Sequence, residues 1–392
     1  MIKGQNIICI SSANWDDRSW VNVQHIMSRL AHNNKILYID SIGLRKPNIA
    51  RKNDFSRVIR RIMNFLKGLR MVRNNLYLFS PIILPLHHIG FVRMINCLIL
   101  SVFIKLFKLI LNFKSPILWI FLPTASCLAQ KVKNRLTIYH CVDEYAENPL
   151  VKRNAIMEME DELIKRADIV ITTSKPLYES KKIKNINTYL LTNVADCGSF
   201  ISYKGSISDK LKSINHPLIG FVGNITAYKV DLALLEFLAM ERTDWNIVLV
   251  GPVGRGDPNT NVDRLRRIDN IHFIGEVRNN LLPSYVKAFD VCLIPFKVNE
   301  TTRNSLPLKF FEYLACGKPV VSTVIDSLKE FGDYCKLADN REEYLISIES
   351  FLRNDSEEEQ DRRIDFAKKN SWDIRMEEIS EVIEEHLHRS SE

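Results

Sequence analysis

The segment richest in usable chemistry runs from 303 to 323, RNSLPLKFFEYLACGKPVVST. Ser305 and Pro307 mark the start of a helix over 307–316, because a hydroxyl can cap the first free amides and proline is tolerated in the first turn. Gly317 suits the left-handed stop, and a buried strand follows at once. A loop feeding a helix start leaves backbone N–H groups and a partial positive charge exposed, which is a place for phosphate. Arg303 adds a full charge beside it. Glu312 stands about one and a half turns farther along, where its carboxylate can accept hydrogen bonds from a neighbouring diol such as ribose. These are handles for a nucleotide that need no glycine-rich loop. Phe310, Phe311 and Leu314 read as core.

A second set of candidates follows apolar runs in the first half. His140, Asp143 and Glu144 come at the end of one such run, where a carboxylate can hold acceptor hydroxyls or act as a general base. A helix cap or a plain surface charge is the other reading of that acid pair. Asn14, Trp15, Asp16 and Asp17 follow the first run and are candidates to line the same site.

Those residues need elements to hold them. Near-continuous Ile, Val and Leu runs at 7–12, 36–40, 76–80, 117–122, 136–142, 169–173 and 188–192 predict strands buried on both faces of a parallel sheet. Helical patterns such as 20–32, 90–112 and 152–166 lie between them. A stretch rich in Ser, Lys and Asn over 202–217 marks a domain boundary. Alternation then restarts, with strands at 218–222, 246–250, 271–274, 291–295 and 319–323, and helices around 231–240, 284–288 and 307–316. The expected fold class is α/β, with two Rossmann-like doubly wound domains, 1–205 and 206–371, and a closing helix at 372–392. Trp372, Ile374, Ile379, Val382, Ile383 and Leu387 give that tail one apolar face. Ligands of such sheets bind outside the C-terminal strand ends, so the site is expected in the cleft that the two domains face.

Composition narrows the partners. The net charge of +8 hides an asymmetry: residues 1–205 hold 30 Lys/Arg against 14 Asp/Glu, a balance of +16, and residues 206–392 hold 24 against 32, a balance of −8. Between 45 and 73, Arg45, Lys46, Arg51, Lys52, Arg57, Arg60, Arg61, Lys67, Arg70 and Arg73 face the single acid Asp54. Interleaved with Val58, Ile59, Ile62, Met63, Phe65 and Leu66, they read as a basic amphipathic helix on anionic lipid, or as a solvated helix with an ordinary core face. No nucleic-acid signature accompanies them, so nucleic acid is not an expected partner. The eight cysteines are scattered, without Cys-x-x-Cys pairs, and read as reduced thiols in a cytoplasmic protein. No secretory signal is recognisable. The apolar stretch 94–113 has an uncharged run of eleven residues before Lys105, short of the roughly 18–20 that span a bilayer, so no transmembrane segment is expected.

The ordered pieces IGFVGNITAYKVDLALLEFLA (219–239), WNIVLVGPV (245–253), NIHFIGEV (270–277) and FDVCLIPFKVNETTRNSLPLKFFEYLACGKPVVST (289–323) resemble the donor-binding half of the group 1 and family-4 glycosyltransferases of the GT-B fold. The likeness is greatest to the bacterial polysaccharide enzymes that include the teichuronic acid glycosyltransferases. LYIDSIG, IYHCVDEY and LLTNVADCGSF look like the N-terminal half of the same enzymes.

The resemblance implies donor contacts at Gly223, Asn224, Lys229, Val277, Arg303, Asn304, Ser305, Leu306, Pro307 and Glu312, with the last helix returning toward the N-domain. It assigns acceptor contacts to the N-domain residues Asn14, Trp15, Asp16 and His140, and chemistry to Lys229, Arg303, Asp143 and Glu144. Two departures stand out. The family's Glu-x7-Glu pair is matched at Glu312 but has Asn304 eight residues earlier, and its diphosphate-binding arginine is replaced by Asn224, while Lys229 matches the lysine. Arg303 is the expected substitute charge. The implied reaction moves a sugar from a UDP- or GDP-sugar to a lipid-linked or polysaccharide acceptor, with retention and without a metal, at the inner face of the membrane. No Asp-x-Asp occurs in the chain. A nucleotide-sugar epimerase of the same architecture and an inactive membrane-associated scaffold remain the alternatives.

Overall fold

The computed structural model describes residues 1–17, 20–43, 52–84, 86–147, 151–255, 257, 259–299, 302 and 306–389, with the side chains of 52–58 excepted. The chain divides into two compact units, one made of Met1–Thr192 with Met376–Glu392, the other of Asn193–Arg375.

In the first unit the Ile- and Leu-rich runs become strands because buried β-branched and apolar side chains suit a sheet covered on both faces. They are β1 (Asn6–Ile10), β2 (Lys35–Ile39), β3 (Arg70–Arg73), β4 (Leu76–Phe79), β5 (Ile117–Ile120), β6 (Leu136–Cys141), β7 (Ile169–Thr172) and β8 (Thr188–Leu190). The sheet order is β3-β4-β2-β1-β5-β6-β7-β8. Every pairing is parallel except that of β3 with β4. The edge strand β3 is absent from the sequence expectation because its residues alternate between half-buried and exposed and form no apolar run.

The second unit has β9 (Leu218–Val222), β10 (Asn246–Val250), β11 (Ile271–Gly275), β12 (Val291–Ile294), β13 (Val320–Thr323) and β14 (Lys336–Ala338). All pair in parallel, in the order β11-β10-β9-β12-β13-β14. β14 is only three residues long, too short to stand out as a run. The unit begins at Asn193 and not at 206, because Ala195, Cys197 and Phe200 are buried in its core. At the other end, the helix Trp372–Arg389 contributes its residues from Met376 onward to the first unit. Met376, Ile379, Ile383 and Leu387 are buried, and His386 packs edge-on against Tyr189 of β8 at 5.8 Å.

Each sheet has one place where strand order reverses: beside β1, which lies between β2 and β5, and beside β9, which lies between β10 and β12. Crevices for ligands open at such points.

Three further features differ from expectation. Cys97 and Cys127 are joined in a disulfide with Cα atoms 6.3 Å apart, so these two are not free thiols; the fold brings together residues 30 positions apart, which spacing could not reveal. The helix Gly90–Ile110 is by length and composition capable of crossing a membrane. Yet Cys97, Leu100, Ile104 and Phe107 on one side of it are buried in the first unit. Arg61, read as lipid-facing, instead turns inward, donating from Nε to Pro81 O at 3.2 Å and from a terminal nitrogen to Ser41 O. Of the basic stretch, residues 45–51 and the side chains of Lys52 and Arg57 lie outside the described residues.

Candidate functional site

The crevice beside β9 collects most of the described donor candidates. β9 is followed by Gly223, whose φ of +153° suits a residue without a Cβ, and a Cβ there would lie 3.0 Å from Lys309 Nζ. The following loop turns through Thr226, whose carbonyl accepts from the amides of Lys229 (3.1 Å) and Val230 (2.8 Å). Lys229 is thereby brought back over the end of β12, where its Nζ stands 4.8 Å from the Phe296 ring centre. Lys309 approaches the same ring at 5.1 Å and the Phe221 ring at 5.3 Å. Two ammonium groups therefore converge at the C-terminal ends of the two central strands. Asn224 donates from Nδ2 to Arg255 O at 2.5 Å, while its Oδ1 and the Oγ1 of fully buried Thr226 have no hydrogen-bond partner among the described residues.

The helix behind this point runs from Leu308 to Ala315, with Pro307 at the N-cap position and no side chain capping it. This corrects the expectation that proline occupies the first turn. Tyr313 ties the helix to the sheet, its hydroxyl accepting from Val222 N at 2.8 Å. Gly317, at φ +71°, ends it as expected. Lys309 and Glu312 lie three positions apart, on one side of the helix. Burial holds the Lys309 ammonium below its ordinary pKa; Lys229 repels it in the same direction, and Glu312 opposes both. Burial raises the Glu312 carboxyl, with Lys309 pulling it down and Asp196 pushing it up. A charged ligand that brings negative charge to the lysines would relieve their mutual repulsion.

Leu306 and Pro307 are buried at the start of the helix. Val277, just past β11, packs against the core of the unit. Arg303, Asn304 and Ser305 lie outside the described residues. Among the described residues, Lys309 is a cation beside Lys229, and sequence reasoning passed over it. The helical spacing from Glu312 was the signal that could have found it.

In the first unit the expected acceptor residues sit in different local environments. Trp15 is buried; its amide donates to Asp40 Oδ1 at 2.8 Å and its ring packs on Trp20 and Tyr38. Asp16 pairs with Arg70 at 2.7 Å, and the Asn14 amide donates to Asp17 Oδ2 at 3.1 Å. His140 does not project past β6: it lies inside the strand, fully buried and stacked on Phe121 at 4.8 Å, and burial drives its pKa down to about 3. Asp143 is exposed just past β6, and its Oδ1 accepts from the Glu144 amide at 2.9 Å. Glu144 is bound to buried Lys181 at 3.1 Å, and Lys181 also holds Glu160 at 2.9 Å. Burial raises the Glu144 carboxyl, Lys181 opposing it. Among the described residues no group of three His, Cys, Asp or Glu side chains gathers as a metal site.

Two cations converging beside β9 are what a nucleotide-dependent transferase needs, and residues 216–354 match the family model of the glycosyl transferases group 1. The chain carries a group 1 glycosyltransferase domain. This glycosyltransferase domain falls within the second unit. The TuaH glycosyltransferase assigned to teichuronic acid biosynthesis in Bacillus subtilis (strain 168) is 25% identical over 282 residues, 67% of this chain and 70% of that protein. Among solved structures, HepE of Anabaena in complex with UDP superposes with a TM-score of 0.69 at 14% identity, covering 97% of this chain and 100% of that one. A glycosyltransferase from Rickettsia africae ESF-5 gives 0.68 at 13% identity over 98% and 99%. Sucrose-phosphate synthase from Thermosynechococcus elongatus gives 0.66 at 15% over 97% and 98%. These structural likenesses establish for the glycosyltransferase the two-sheet GT-B fold.

Proposed function

We propose that this glycosyltransferase moves a sugar from a nucleoside diphosphate sugar to a saccharide acceptor, lipid-linked or polymeric, in surface polysaccharide assembly. The observation that carries this reading is the convergence of Lys229 and Lys309 on Phe296 at the reversal point beside β9. As the bond between the anomeric carbon and the β-phosphate oxygen breaks, negative charge grows on the diphosphate. Two fixed cations and the uncapped start of the Leu308–Ala315 helix stabilise that charge, a term that is often large in catalysis. Lys309 takes the role for which the family arginine is missing at Asn224, and Glu312 accepts from the donor's hydroxyls. With charge compensation supplied by side chains, the reaction is proposed to run without a metal.

The acceptor is assigned to the first unit, with Asp143 as the exposed carboxylate past β6 and Glu144 held by Lys181. Retention of configuration follows the family resemblance. A donor carrying uridine is favoured by the UDP complex of HepE, which shares the fold. Attachment of the basic first unit to the anionic inner leaflet places the enzyme beside a lipid-linked acceptor.

A panel of UDP- and GDP-sugars incubated with the protein and membrane extract tests the proposal. Release of free nucleoside diphosphate together with a glycosylated extract component is the expected result. An isomerised donor without release would replace it with an epimerase, and an untouched donor would leave a scaffold.

A further inference from the structure

From Phe55 to Val142 the chain has 13 Lys and Arg residues and not one Asp or Glu. Inside this carboxylate-free stretch lies the 21-residue helix Gly90–Ile110. One side of it is built into the first unit through Cys97, Leu100, Ile104 and Phe107. The other side carries Phe91, Met94, Leu98, Val102, Leu106 and Leu109, spaced by three and four and therefore aligned in one stripe. All six are exposed, from 47% at Leu106 to 67% at Phe91 and 80% at Leu109. A surface helix normally turns polar residues outward. Here the outward stripe is interrupted by one charge, Lys105. The neighbouring helix Lys52–Leu66 packs alongside through Phe65 on Phe103 at 5.9 Å and adds exposed Ile59, Ile62, Met63 and Leu66. A contiguous apolar patch of this kind marks an interaction surface.

Charge decides the partner. Exposed Arg60, Lys67, Lys105 and Lys114 border the apolar side chains, and residues 55–142 carry no carboxylate, the acid of the neighbouring helix being Asp54 in its first turn. Apolar side chains rimmed by lysine and arginine match the acyl boundary and phosphate layer of an anionic bilayer. We propose that the Gly90–Ile110 helix lies in the plane of such a bilayer, its Phe91-to-Leu109 stripe inserted below the phosphates and Lys105 reaching up to them. The helix does not cross: crossing would strip its buried side from the first unit, to which Cys97 is also tied through Cys127. The inference rests on this surface alone and not on the transferase reading. It adds apolar insertion to the simple electrostatic attachment of residues 45–73.

The experiment is flotation of the full chain with phosphatidylcholine vesicles containing phosphatidylglycerol, before and after raising KCl to about 1 M, where surface attraction is screened within about 3 Å. The parent is expected to float in both conditions. The triple variant Leu98→Gln, Val102→Gln, Leu106→Gln, changed only at exposed positions, is expected to partition at least tenfold less while keeping the parent's circular dichroism and UDP affinity. A second variant, Leu98→Trp, is expected to be quenched by brominated acyl chains. Complete release of the parent by salt, no quenching of Leu98→Trp, or equal flotation of the triple variant would each overturn insertion. So would a parent that stays with the buffer fractions and sediments as a dimer which the triple variant abolishes.

Discussion

At the scale of single residues, the pair Lys309 and Glu312 carries the sharpest expectations. Lys309 is held below its ordinary pKa by burial and by Lys229, so the free protein keeps part of it neutral near neutral pH, and a bound diphosphate restores the ammonium form. UDP binding should therefore take up a proton, read as a buffer-dependent enthalpy in titration calorimetry. Lys309→Met should remove that dependence and weaken UDP at least tenfold; an affinity equal to the parent's would remove Lys309 from the site. Glu312 is shifted upward, chiefly by burial, so folding favours its protonated form. That contribution is complete below the ordinary carboxylate pKa and disappears as pH rises through the raised value. At a pH of about 7.5 the ionised carboxylate costs stability, so Glu312→Gln should melt above the parent there, with the gap closing in acid, while binding donor more weakly. Thermal scans at two pH values, paired with titration, measure both sides of this trade. Glu312 was singled out from the sequence because its motif is local. Lys309 was not singled out, since its importance comes from Phe296 and Lys229 on other elements.

Strands and helices set the next group of effects. His140 is neutral in β6 with a pKa near 3, whereas the unfolded chain takes up a proton near the ordinary 6.5. The fold therefore loses stability as pH falls below 6.5, by about 2 kcal/mol at a pH of about 5. His140→Phe, stacked on Phe121, should flatten that acid limb in denaturant titrations at the two pH values. Lys181→Met leaves Glu160 and Glu144 without their common cation and should cost about 3–5 kcal/mol in the same measurement. Nearly all strands were legible as continuous apolar runs because the parallel sheets bury both faces. β3 and β14 were not, one being a basic edge and the other too brief to form a pattern. The misreading of His140 has a related cause: an apolar run does not say on which residue a strand stops, so a ring packed inside β6 passed for one projecting beyond it. Glu144 shows the opposite limit, since its partner Lys181 arrives from a separate helix.

On the scale of the whole molecule, the division into units was legible as restarting alternation, but its border was not. The polar stretch at 202–217 looked like a linker, yet the residues before it, Cys197 and Phe200, already pack into the second core. Removal of residues 376–392 should selectively melt the first unit, because Met376, Ile379, Ile383 and Leu387 are buried and belong to it. Differential scanning calorimetry should then keep the transition of the second unit while the other falls or vanishes; two unshifted transitions would contradict that assignment. The discontinuity has a consequence for biosynthesis. Translation delivers the amino-terminal sheet first, then all of the nucleotide-binding half, and only afterwards the helical turns that finish what was begun. Until the ribosome reaches those codons, a nascent chain with a greasy, cationic surface waits unfinished, so its maturation is timed by turns translated after the whole second unit.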